Sequence, residues 1–169
     1  EAWGEDAYTK GLTVWTTIRK ADQEAAHAAL RRGVLDYDRR HGYRGPEGYV
    51  SLPAGSGPEI EEAVEEALQD REPVGDLVAA VVVQATPREV VAVMRRGDVV
   101  KVGGEGLKFV ARALVERSNP DRAIRRGAVI RLMPGEKGAW SVAQVPKVEA
   151  ALVALDPANG SIRALAGGF

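Results

Sequence analysis

The chain has 169 residues, 45% of them hydrophobic and 28% charged, with a formal net charge of −1. Such a chain can bury one or two cores, and its interspersed charges give no pull toward nucleic acid or an anionic membrane. The absence of cysteine removes disulfide scaffolds, thiol nucleophiles and thiolate metal sites, and leaves cytosol and periplasm equally open.

Gly11-Leu-Thr-Val-Trp-Thr-Thr-Ile18 alternates Leu12, Val14, Thr16 and Ile18 with Thr13, Trp15 and Thr17. Period-two alternation of β-branched and aromatic residues predicts a strand. From Asp22, the apolar positions Ala26, Leu30, Val34 and Tyr37 recur at three- and four-residue steps and predict a helix, ended by Gly42 and Gly45-Pro46. A second helix is predicted after Pro53-Ala-Gly-Ser-Gly-Pro58, with Ile60, Val64 and Leu68 on one face. Ser56 and Glu59 fit a capping box, Pro58 suits the first turn, and Glu59, Glu61 and Glu62 lie at the positive end of the helix dipole.

From Asp76 the pattern changes to short strands: Leu77 to Ala85, Glu89 to Met94, Val99 to Val102, Ala128 to Met133 and Trp140 to Val145. Glycine turns separate them, and Leu107 to Arg117 reads as a short helix between the third and fourth. Five strands with a helix after the third is the layout of an OB-type barrel. Trp140, Val142 and Gln144 share one strand face, which makes Trp140 a core or domain-contact residue. The longest apolar run, Leu77 to Val83, is far short of the roughly 20 residues that span a bilayer, and no basic-then-apolar leader appears at Glu1. Any membrane anchor is therefore expected outside this chain.

Val148-Glu-Ala-Ala-Leu-Val-Ala-Leu-Asp156 and Ser161-Ile-Arg-Ala-Leu-Ala-Gly-Gly168 read as two strands joined at Asp156-Pro157-Ala-Asn-Gly160. Proline fixes φ at the turn, while asparagine and glycine tolerate positive φ. A lone apolar hairpin is marginal in water, so this one is expected to belong to a larger sheet, and the chain to be a piece of a larger protein.

This hairpin resembles the opening of the transpeptidase domain in class A penicillin-binding proteins. The other end strengthens the likeness. Gly11 to Ile18, Asp22-Gln-Glu-Ala-Ala26 and Asp38-Arg-Arg-His-Gly-Tyr-Arg-Gly-Pro46 resemble the stretch that precedes an inserted OB-like domain in the 1A type of that family, and Gln144-Val-Pro-Lys-Val-Glu149 resembles the return. Arg19 stands where many relatives carry a short capping residue. The resemblance implies an α+β fold: a small antiparallel OB-like β-barrel with an inserted helix, flanked by a strand-helix and a β-hairpin that form a stub of the transpeptidase sheet. It implies residues 1–47 on the transpeptidase side, 48–146 as the inserted domain and 147–169 as the first hairpin. Strand 12–18 is expected beside the hairpin, with helix 22–38 packed over both. Residues 48–73 carry no sharp motif and can belong to the barrel or form a separate helical excursion.

The acyl-serine chemistry of that family needs Ser-x-x-Lys, Ser-x-Asn and Lys-Thr-Gly, because the serine requires a base and the oxyanion requires placed donors. None is present, so no catalytic residue is expected, nor any cofactor. His27 and His41 have no partner at ligand spacing, and Gly103-Gly104-Glu105-Gly106 lacks the Lys-Ser/Thr of a phosphate loop and reads as a turn. With 5% aromatic residues and no basic-aromatic interleaving, single-stranded nucleic acid is not an expected ligand.

Two basic clusters remain, one of Arg39, Arg40 and Arg44 beside Tyr43, the other of Arg122, Arg125 and Arg126. Solvated surface is their default reading, and contact with a protein or an anionic glycan is the functional one. The resemblance implies a non-catalytic docking or regulatory region on the periplasmic side of an inner-membrane-anchored cell-wall synthase, or a structural spacer. Its implied partners are the protein's own glycosyltransferase and transpeptidase domains and an outer-membrane lipoprotein activator.

Overall fold

The computed structural model describes residue 11 and residues 13–54, 57–117 and 119–169, the side chain of Lys137 excepted. The chain divides into two compact units, one ending at Tyr37 and resuming at Val148–Phe169, the other Asp38–Lys147. The division falls in the last turn of the first helix, α1 (Lys20–Arg40).

In the first unit, β7 (Ala150–Leu155) and β8 (Ile162–Gly168) form an antiparallel hairpin, pairing Val153 with Leu165 and Ala154 with Ala164. In its loop Gly160 takes the expected positive φ, 72°, whereas Asn159 does not and instead accepts the Ser161 N–H on Oδ1 at 3.0 Å, as Asp156 Oδ1 accepts the Ala158 N–H at 2.9 Å. One face holds Leu152, Ala154, Ala164 and Ala166, and α1 lays Ala26 on it. Small residues on both sides let helix and hairpin approach closely.

The strand expected over 12–18 is not formed. Leu12 lies outside the described residues, and residues 13–16 carry no ladder. The Thr17 hydroxyl donates to the Ile162 carbonyl at 2.6 Å and the Arg19 N–H to the Arg163 carbonyl at 3.0 Å, beside β8. Val14 and Trp15 are 75% and 92% exposed. β-propensity expresses fit to a half-buried pleated surface, and without a buried face the alternation has nothing to hold it.

In the second unit, β1 (Gly48–Tyr49), β2 (Val78–Ala85), β3 (Glu89–Met94), β4 (Val99–Gly103), β5 (Ala128–Pro134) and β6 (Trp140–Ala143) form one antiparallel sheet. The order is β1-β5-β2-β3-β4, with β6 also on β5. β1 meets β5 at Ala128 and Val129 and β6 meets it from Arg131 to Pro134, so both lie along one edge of β5. β1 was not anticipated from sequence.

The sheet is buried on both faces. Ala80, Val82, Val90, Ala92, Val100, Val102, Ile130, Leu132 and Val142 enter the main core with Leu107, Val110 and Ile124, and Trp140 packs against it. Ala79, Val81, Val93 and Val129 face the other way, onto Ile60, Val64 and Leu68 of α2 (Pro58–Leu68). Two-sided burial is why β2 reads as a continuous apolar run instead of an alternation. α2, which lies within residues 48–73, covers this outer face of the sheet. The capping box expected there rests on Ser56, which lies outside the described residues; the N-cap position is Gly57. Pro58 does open the helix.

Two features depart from the expected barrel. No ladder joins β4 to β6, so the sheet does not close by hydrogen bonds among the described residues. The helix expected over 107–117 is instead a 3-10 helix at Gly104–Val110 followed by turns. That 3-10 segment fills the seam. A Cβ on Gly106 would come 2.2 Å from the Trp140 carbonyl oxygen and 2.8 Å from Val102 Cγ1. Only glycine lets the segment wedge this tightly between the two edge strands, and three residues per turn keep Leu107 and Val110 on its buried side.

Candidate docking site

Among the described residues, no group of three or more His, Cys, Asp or Glu side chains is placed to hold a metal, and no helix is long and apolar enough to cross a membrane. The polar organisation of the second unit lies instead where its chain enters and leaves. Asp38, 4% exposed, accepts from Arg44 Nη1 at 2.6 Å and from Gln144 Nε2 at 2.6 Å. Arg44 Nη2 donates to the Val145 carbonyl at 2.6 Å and its backbone N–H to Gln144 Oε1 at 3.0 Å. A buried carboxylate is tolerable only when paired and hydrogen-bonded in this way. Nearby, Arg131 grips both carboxylate oxygens of Glu47 at 2.7 and 3.1 Å and donates to the Glu72 carbonyl at 2.8 Å. A cavity of about 430 Å³ lies between these groups, lined by Arg44, Pro46, Ile130, Gln144 and Pro146 among others.

The two basic clusters are redistributed by the fold. Arg44 is spent on the Asp38 network. Arg126 donates to the Val83 and Pro53 carbonyls at 3.0 and 2.6 Å, bracing the sheet against the chain before α2. Arg125 lies 4.3 Å over the Tyr49 ring, a cation–π contact. Arg40 is exposed on the last turn of α1.

Arg39 and Arg122, one from each cluster, come together. They line a groove of about 710 Å³ with His41, Tyr43, Lys108, Phe109, Arg112 and Glu116. Arg122 is set there by local structure. Asn119 Oδ1 accepts the Asp121 N–H at 3.2 Å, and the Tyr49 hydroxyl lies 2.6 Å from the carbonyls of both Pro120 and Ala123, fixing the turn between them. Gly45, at φ 115°, brings the segment before β1 against the same turn, where a Cβ would sit 2.8 Å from the Asp121 carbonyl oxygen. Tyr43 meets Phe109 edge to face, with centroids 5.6 Å apart. Burial above all, with smaller contributions from the neighbouring Tyr49 and Glu47, pushes the Tyr43 phenol well above its usual range.

Lys108 pairs with Glu105 at 2.7 Å and Glu116 accepts the Asn119 N–H at 3.1 Å. Arg39, Arg112 and Arg122 have no carboxylate within ion-pairing distance among the described residues. Sequence reasoning missed Lys108, Phe109 and Arg112. The only signal was their placement in the segment read as an ordinary helix, where Lys108 and Arg112 are four apart.

The sequence and the fold are similar to those of known proteins. Residues 43–148 match the family described as Penicillin-binding protein OB-like domain. Penicillin-binding protein 1A of Neisseria lactamica is 42% identical over the whole chain, and that of Escherichia coli 36% over 99% of it. The 2.6 Å crystal structure of penicillin-binding protein 1A from Haemophilus influenzae superposes with a TM-score of 0.66 at 27% identity, covering 92% of this chain and 22% of that one. The chain belongs to the penicillin-binding proteins that carry this OB-like domain. It corresponds to the OB-like region of the 1A proteins and spans about a fifth of their length, 21% of the Neisseria protein.

Proposed function

We propose that the chain is a non-catalytic docking and regulatory region of a cell-wall synthase, the periplasmic part of an inner-membrane-anchored protein whose other domains polymerise and cross-link peptidoglycan. The observation that carries this reading is the groove, in which an OB-like unit with cores of its own gathers Arg39, Arg112 and Arg122, cations with no carboxylate at ion-pairing distance among the described residues. The sequence holds no Ser-x-x-Lys and no Lys-Thr-Gly, so acyl-serine chemistry is left to other parts of the protein. An outer-membrane lipoprotein activator is the proposed partner. Titrating the chain against that activator by calorimetry tests the reading: saturable binding is expected, and a full-length protein that binds while the chain does not would overturn it.

A second reading, a structural spacer between catalytic domains, is favoured by the Asp38–Arg44–Gln144 network, which fixes the two chain passages of the unit to each other. Replacing residues 48–146 of the whole protein with a short linker separates the two: a spacer predicts impaired synthesis with activator binding intact, a docking region predicts loss of binding.

A further inference from the structure

We infer that the groove between residues 39–43 and residues 108–122 takes an acidic peptide segment of the docking partner, with carboxylates on Arg39, Arg112 and Arg122 and an apolar side chain against Phe109. The inference rests on the docking reading and names the chemistry of what docks. Charge is its first support. The chain as a whole carries −1, yet this groove gathers Arg39, Lys108, Arg112 and Arg122, of which, among the described residues, only Lys108 has a carboxylate partner at ion-pairing distance. Glu116, the acidic residue among the groove's lining, already accepts the Asn119 N–H. A guanidinium presents a planar fork that matches a carboxylate bidentately, and exposed arginines spread along a groove suit carboxylates spaced along a chain.

Shape and surroundings favour peptide over the other anions. The groove, about 710 Å³, is of the size that holds a few side chains. Tyr43 is largely buried and stands at 79° to Phe109, so the pair makes a wall for an aliphatic side chain, not an open ring face on which a sugar or base stacks. A free phosphate would need a closed ring of donors, whereas Arg39, Arg112 and Arg122 are all exposed.

The test uses the whole chain and two fluorescein-labelled decapeptides, one alternating glutamate and leucine, the other lysine and leucine, with inorganic phosphate and peptidoglycan glycan oligomers as competitors. The acidic peptide should bind, more weakly as salt rises, and the basic one should not. Arg112→Glu/Arg122→Glu should weaken it by about tenfold per arginine, Arg112→Gln/Arg122→Gln in the same direction, and Arg88→Glu, outside the groove, not at all. Circular dichroism melts check that each variant is folded. Unchanged affinity in the folded double variants, or displacement by phosphate or glycan as readily as by unlabelled acidic peptide, would overturn the inference. An activator that binds the chain and its double variant equally overturns the groove assignment alone. An activator that does not bind, beside a peptide that binds and is lost in the variants, overturns the docking reading and leaves the groove's preference for acidic peptide standing.

Discussion

The side-chain amide of Gln144 donates to Oδ2 of Asp38 across 2.6 Å, joining residues 106 positions apart where the chain enters and leaves the OB-like unit. Arg44 completes the pair from the other carboxylate oxygen. Arg44→Ala would leave the Asp38 carboxylate short of its countercharge, at a cost of about 3 kcal/mol. Asp38→Asn combined with Arg44→Met should recover most of that loss, because no buried charge is then stranded. Urea unfolding of the parent chain, Asp38→Asn, Arg44→Met and the double variant measures the coupling, and an additive double variant would contradict it.

Gly106→Ala is expected to destabilise by roughly 3 kcal/mol, at the upper end of overpacking costs, because the obstacle is the Trp140 backbone carbonyl and cannot rotate away. A crystal structure of the variant should show the 3-10 segment lifted from the seam, and Trp140 fluorescence should move toward the solvated range.

Alkaline pH should weaken the second unit through Tyr43. Its folded-state pKa is raised, chiefly by burial, so its contribution is fully present while the phenol is neutral in both states. It is lost as pH rises above about 10, where the unfolded chain releases the proton first. Tyr43→Phe should leave the neutral-pH urea midpoint nearly unchanged and flatten its decline above that pH. Some slope remains from Tyr49, which is also raised, chiefly by burial.

Leu68→Ala empties a fully buried position between α2 and the outer face of the sheet and should cost about 3 kcal/mol. Because the main core lies on the opposite face, far-UV circular dichroism of the folded variant should retain its sheet signal while the melting temperature falls.

Much of the fold could be read from residue order. Strands at 78–85, 89–94 and 128–134 are runs whose β-branched content and glycine or proline borders leave little choice, and Ile60, Val64 and Leu68 named the buried face of α2. What failed was context. The alternation from Thr13 to Ile18 has strand chemistry but no burial, and the 107–117 segment has helical spacing but sits in a gap that admits a 3-10 segment and turns. The site was half legible: composition marked the arginines, but which of them are engaged within the fold depended on distant partners such as the Val145 carbonyl for Arg44 and the Val83 carbonyl for Arg126.

The unjoined edges of β4 and β6 are filled by a segment that belongs to neither strand, and two of its side chains, Lys108 and Phe109, also wall the basic groove. Recognition and closure are thus separable in sequence. Substituting the outward positions 108 and 112 retunes what the groove accepts, while Gly106, Leu107, Phe109 and Val110 stay packed on the seam and its core, so the groove can change without any strand having to change.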